Sequence, residues 1–338
     1  MKLNYKTRCY HHLGEGKTKG GIILSNKNIL ITGGAGFIGS NIIKRAVPKG
    51  YNVYCLDYRD DIDNLNGIVN RLNLINQDVR DKEVLETLFK NHEFDGVIHL
   101  AAVSRVIWAE QEPNKCWDIN VNGTKTLLET LKTTGQDPWF IFGSSREVYG
   151  ENGNFPISED HKKDPINIYG ESKLTGEKLV KKWSIETGNS SAVLRFSNVY
   201  GNENDILDRV IPRFILRALR KKVLKIHGGD QLIDFTHISD TVDGVFRTID
   251  YLNKDMKIFD DFHILPGQGT TLHDVVNYIS NSIDDEPKVK ITEGRDYDVD
   301  KFVGDPTKAK SKLDFSAEIE PEEGISKTID RYREVFTA

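Results

Sequence analysis

From Lys27 onward the chain alternates short apolar runs with stretches of helical period, and no other feature limits its possible folds so strongly. The runs are Ile29-Leu30-Ile31, Val53-Tyr54-Cys55-Leu56, Gly96-Val97-Ile98-His99-Leu100, Trp139-Phe140-Ile141-Phe142 and Ser191-Ala192-Val193-Leu194. Between them lie helical patterns at Phe37 to Val47, ended by Pro48, and at Val84 to Asn91, Val121 to Lys132 and Tyr169 to Thr187. Continuous apolar runs fit strands covered on both faces, and the intervening helices are the crossovers that parallel strands require. The expected class is α/β, a doubly wound parallel sheet.

This regular part occupies 28–197. Residues 1–27 are polar with no clear period and read as an N-terminal extension. After about Asn198 the alternation loosens and Arg217, Arg220, Lys221, Lys222 and Lys225 crowd in. A smaller C-terminal α/β substrate-binding lobe is expected over 198–230 and 256–338, with 231–255 returning to the first domain.

Bulk properties exclude several functions. A net charge of −5 over 338 residues argues against a nucleic-acid partner, whose grip rests on excess Lys and Arg. Cys9, Cys55 and Cys116 form no CxxC pair, and His11-His12 has no further ligand nearby, so no metal site is expected. No apolar stretch approaches the roughly 18–20 residues of a membrane helix, and no signal-peptide core follows Met1. The reading is a cytoplasmic protein without a membrane partner.

Gly33-Gly34-Ala35-Gly36-Phe37-Ile38-Gly39 lies where the first strand hands over to a helix, with the glycine spacing of a dinucleotide-binding turn. The turn is tight, pyrophosphate must meet bare backbone, and the helix N-terminus offers unpaired N–H groups. Asp57, eighteen residues beyond Gly39, ends the second run, where a carboxylate can accept both ribose hydroxyls. Such an acid repels a 2′-phosphate, which favours NAD over NADP, although Arg59 stands beside it. The sheet is thus expected to be Rossmann-type.

Tyr169 and Lys173 are one helical turn apart, and an ammonium near a phenol favours the phenolate. Spacing alone decides nothing, because Tyr297 and Lys301 share it. Context separates the pairs: Tyr169 opens a helical pattern and follows Ser145, which terminates the fourth apolar run, at the sheet edge where α/β proteins bind ligands. Ser145, Tyr169 and Lys173 are therefore the candidate catalytic set.

From Asn28 to the C-terminus the chain resembles the extended short-chain dehydrogenase/reductases, specifically the NAD-dependent nucleotide-sugar epimerases and dehydratases. The resemblance rests on the glycine turn, Asp57, Asp78-Val79-Arg80-Asp81, His99-Leu100-Ala101-Ala102, Asn120-Val121-Asn122-Gly123-Thr124, Ser144-Ser145-Arg146-Glu147-Val148-Tyr149-Gly150, Tyr169-Gly170-Glu171-Ser172-Lys173 and Arg195-Phe196-Ser197-Asn198-Val199-Tyr200-Gly201. It implies that NAD is the cofactor, that Gly33, Gly36, Phe37, Ile38, Gly39, Asp57, Asp78, Val79, Ala101, Ala102, Tyr169 and Lys173 bind it, and that Asn198 meets the phosphates of a nucleotide-diphosphate sugar. It also implies a homodimer through the helix carrying Tyr169, whose Leu174, Leu179, Val180 and Trp183 could face either a partner or the sheet.

The resemblance leaves the reaction open between 4-epimerisation, 4,6-dehydration and decarboxylation, with a catalytically silent NAD-binding protein as a further alternative. Glu147 matches the acid that dehydratases and decarboxylases use. The preceding dehydratase acid is Arg146 here, and arginine has no proton to give. A 4-epimerase acting through a transient 4-keto sugar is the favoured reading. Ile233 stands where the family places a phosphate-binding Arg; Arg295 is the expected substitute, ahead of Lys225 and Arg213.

Overall fold

Ile29, Leu30 and Ile31 have no exposed surface in β1 (Asn28–Thr32), as a strand covered on both faces requires. The computed structural model describes residues 27–336 apart from 152, 230, 255–258, 284 and 294–298. The extension as far as residue 26, with Cys9 and His11-His12, lies outside the described residues, as do Arg295 and Tyr297. The strands continue with β2 (Asn52–Asp57), β3 (Asn73–Asn76), β4 (Gly96–His99), β5 (Trp139–Ser145), β6 (Ser191–Phe196), β7 (Leu224–His227), β8 (Leu232–Asp234), β9 (Phe259–Ile264), β10 (Gly269–Thr271), β11 (Val289–Thr292) and β12 (Lys301–Phe302). The helices that position the site are α1 (Phe37–Ala46), α2 (Lys82–Asn91), α3 (Val106–Gln111), α4 (Pro113–Trp117), α5 (Gly123–Thr133), α6 (Ile168–Thr187), α7 (Val210–Leu219), α8 (Ile238–Leu252), α9 (Leu272–Ile283), α10 (Thr307–Leu313) and α11 (Pro321–Phe336).

Seven strands form one parallel sheet in the order β3-β2-β1-β4-β5-β6-β9. The order reverses between β1 and β4, so the loops leaving their carboxyl ends diverge and open a crevice there. Ile42 and Ile43 of α1, Val242, Val245 and Ile249 of α8, and Leu313 of α10 cover one face. Leu85 and Leu88 of α2, Leu127, Leu128 and Leu131 of α5, and Val180 and Trp183 of α6 cover the other. Val180 and Trp183 thus serve the chain's own sheet. Leu179 packs beside them, and Leu174 packs near Tyr149 and Phe302.

A second core, with Phe214, Ile215, Ile226, Phe235, Val275, Ile325 and Tyr332, lies under α7, α9 and α11 and forms the smaller lobe. Two boundaries differ from the sequence reading. Phe259–Ile264, assigned to that lobe, is the seventh strand of the large sheet; Leu232–Asp234, assigned to the first domain, pairs instead with β10 and β12. The reason is chemical. The seventh strand carries Asp260 and Asp261, which bind Lys308, Lys312 and Arg195, so it shows no continuous apolar run.

Candidate active site

The carboxyl ends of β1, β2, β4, β5 and β6 open into a cleft of about 980 Å³. Every described residue assigned to the site lines it, including Gly33, Gly36, Phe37, Ile38, Gly39, Asp57, Asp78, Val79, Ala101, Ala102, Ser145, Glu147, Tyr169, Lys173 and Asn198. Gly33 has φ +69°, and a Cβ there would sit 2.7 Å from the Ala101 backbone nitrogen. A Cβ on Gly39 would meet the Gly33 carbonyl oxygen at 2.5 Å, so α1 can lie this close only with glycine. Gly36 begins α1 without a side-chain cap, which leaves the first N–H groups facing the cleft for an anion. This cradle fits a dinucleotide.

Asp57 is buried at the end of β2, and its Oδ2 accepts from the Ala35 N–H at 2.9 Å. Arg59 grips the same carboxylate from its side chain, Nε to Oδ1 at 3.0 Å and Nη2 to Oδ2 at 2.9 Å. The acid expected to receive the ribose is thus already paired with a cation. Asp78 is held in the same manner by Arg80, and Val79 is buried beside it.

Ser145 ends β5, and Tyr169 is the second residue of α6. Both line the cleft, and Lys173 follows one turn later, its Nζ 5.9 Å from the Tyr169 ring centre. Lys173 donates to the Gly143 carbonyl at 2.8 Å. Burial pushes the Tyr169 phenol above its ordinary value, with the Ser145 hydrogen bond opposing, and pulls the Lys173 ammonium down to about 8. Removal of the phenol from water thus opposes the phenolate that the neighbouring ammonium was expected to favour.

Sequence reasoning missed the residues that hold this set in place. Asn167 caps α6, accepting from the Gly170 N–H at 2.8 Å, and its Nδ2 donates to Glu147 Oε2 at 2.9 Å. Asn120 bonds both backbone groups of Val103 and donates to Ser172 Oγ at 2.9 Å, while Ser172 donates to the Tyr169 carbonyl. An asparagine before a helical run is a legible capping signal; the Asn120 pairing spans distant segments and is not. Asn167→Ala should lower unfolding free energy by about 2 kcal/mol, cap and buried acceptor together, measurable by urea denaturation.

Glu147 and Arg146 are both buried and paired, Nη2 to Oε1 at 3.1 Å. Asn198 holds φ +35° just after β6, a left-handed conformation that asparagine tolerates better than most residues. Of the expected substitutes for the missing phosphate cation, Arg213 lines the cleft, Lys225 points outward on β7, and Arg295 lies outside the described residues. Arg209, just before α7, lines the cleft as well.

The family model described as GDP-mannose 4,6 dehydratase matches residues 30–328. A relative described as a putative UDP-glucose 4-epimerase of Methanocaldococcus jannaschii is 33% identical, over 89% of this chain and 97% of its own. The chain belongs to this nucleotide-sugar epimerase and dehydratase family. Within the family, the solved UDP-glucose 4-epimerase of Thermotoga maritima, in complex with UDP-glucose, superimposes with a TM-score of 0.84 at 31% identity, covering 91% of this chain and 99% of that one. The UDP-glucuronic acid 4-epimerase of Bacillus cereus, in complex with UDP-glucuronic acid and NAD, gives 0.84 at 26% identity over 91% and all of its chain.

Proposed function

We propose that the chain is an NAD-dependent nucleotide-sugar 4-epimerase, acting on a UDP-hexose through a transient 4-keto sugar. One observation carries the reading: Ser145, Tyr169 and Lys173 meet the glycine cradle in a single cleft, and the residue after Ser145 is an arginine. NAD, when bound, supplies a hydride acceptor and donor for C4. Gly33, Gly36 and the start of α1 hold its pyrophosphate, Asp57 its adenosine ribose, and Lys173 its nicotinamide ribose. Asp78 and Val79 flank the adenine; Ala101 and Ala102 line the groove. Tyr169 takes the proton from the sugar 4-hydroxyl and Ser145 orients that oxygen.

Asn198 and the start of α7, with Arg209 and Arg213, receive the diphosphate in place of the family arginine that is Ile233 here. Glu147 has one carboxylate oxygen engaged by Arg146 and the other by Asn167, which weakens dehydratase and decarboxylase readings; the intact Ser-Tyr-Lys set weakens a silent one. Cytoplasmic residence suits the free, buried Cys55 and Cys116. No described helix is long and apolar enough to cross a membrane. Assembly as a homodimer through α6, the helix carrying Tyr169, is part of the proposal, and light scattering decides it.

Incubation with UDP-hexoses, neutral and acidic, followed by proton NMR and mass spectrometry, tests the reading. Inversion at C4 with unchanged mass is expected. Loss of water or carbon dioxide, or no inversion in any sugar, overturns it. Because Arg59 neutralises Asp57, Arg59→Ala should raise the preference for NAD over NADP by about tenfold, read by equilibrium binding of each dinucleotide.

A further inference from the structure

Arg146 is the cleft residue whose chemistry the epimerase reading leaves unused. It follows Ser145 on the single turn leaving β5, is 7% exposed, and lines the cleft. One of its nitrogens, Nη2, meets Glu147; Nε and Nη1 are buried and have no hydrogen-bond partner among the described residues. A guanidinium is always charged, and buried donors left without acceptors are destabilising. Neighbouring groups cannot satisfy it. Glu147 is shared with Asn167, Phe302 offers only a ring face at 5.8 Å, and Asp234 makes no ion pair with it, its Oδ2 accepting instead from the Gly304 N–H at 3.1 Å.

We propose that Arg146 selects a nucleotide sugar whose hexose carries a carboxylate, the acid accepting the unpaired guanidinium donors while Ser145 and Tyr169 engage a hydroxyl of the same ring. The planar fork of arginine matches a carboxylate bidentately and pairs with its charge, whereas a hydroxymethyl group offers a single uncharged acceptor. For the pose of the sugar this inference rests on the epimerase reading.

The test is equilibrium binding of UDP-glucuronate and UDP-glucose to the NAD-loaded full chain, with NMR of the same samples. Wild type should bind the acid at least about tenfold tighter than the neutral sugar. That ratio should fall to about one in Arg146→Gln/Glu147→Gln, which removes both members of the ion pair, and should survive in part in Arg146→Lys, the fallback if the double variant does not fold. Equal or weaker binding of the acid by wild type, or a preference unchanged in either variant, overturns the role of Arg146. Inversion at C4 without an acid preference sinks only this inference. An acid preference without inversion in any sugar supports Arg146 and sinks the epimerase reading.

Discussion

Tyr169→Phe lowers turnover by about 10²–10⁴-fold while NAD still binds. The ring is buried against Val103, Val106 and Ile168, so phenylalanine fills the same space, and only the hydroxyl is lost. That hydroxyl has no ready replacement. Glu147 is tied to Arg146 and Asn167, and the Lys173 ammonium is bound to the Gly143 carbonyl. Initial rates by NMR and a fluorescence titration with NAD separate chemistry from cofactor binding. Undiminished turnover would remove Tyr169 as the base.

Arg195→Met destabilises the fold by about 3–5 kcal/mol, the cost of leaving buried acids without their cation. Arg195 on β6 donates to both oxygens of Glu177, at 2.9 and 2.7 Å, to Asp261 at 2.8 Å and to the Tyr149 hydroxyl at 2.9 Å. Glu177 also accepts from Ser144, the neighbour of Ser145, so this network ties the catalytic strand to α6 and to β9. Calorimetry should show the midpoint falling by roughly 5–15 °C, and Arg195→Met/Glu177→Leu should recover part of the loss because one orphaned acid is gone. A fall of a degree or less would mean that the network contributes little.

Much of the site was legible before any coordinates because its parts are local. The glycine turn, Asp57, Ser145 and the Tyr169–Lys173 pair each depend on a few consecutive residues at a strand end or on one helix face. Their convergence then follows from parallel strands delivering their carboxyl ends to one edge. The unread parts are long-range. Asp260 and Asp261 hide β9 from a search for apolar runs, and their cations Lys308 and Arg195 lie far away in sequence. Burial of Tyr169, which raises its phenol, was also unreadable, because spacing reports a neighbouring charge but not burial.

Periodicity and glycine placement by themselves determined a doubly wound parallel sheet, a dinucleotide cradle, and a serine, tyrosine and lysine at its mouth, since steric limits on backbone and the pitch of a helix act within a few residues. Only the tertiary structure decided that Val180 and Trp183 face the chain's own sheet, that Asp260 and Asp261 meet their cations, and that Arg146 keeps donors unpaired in the cleft. Those outcomes depend on which distant groups share a low-dielectric space, and no stretch of neighbouring residues encodes that.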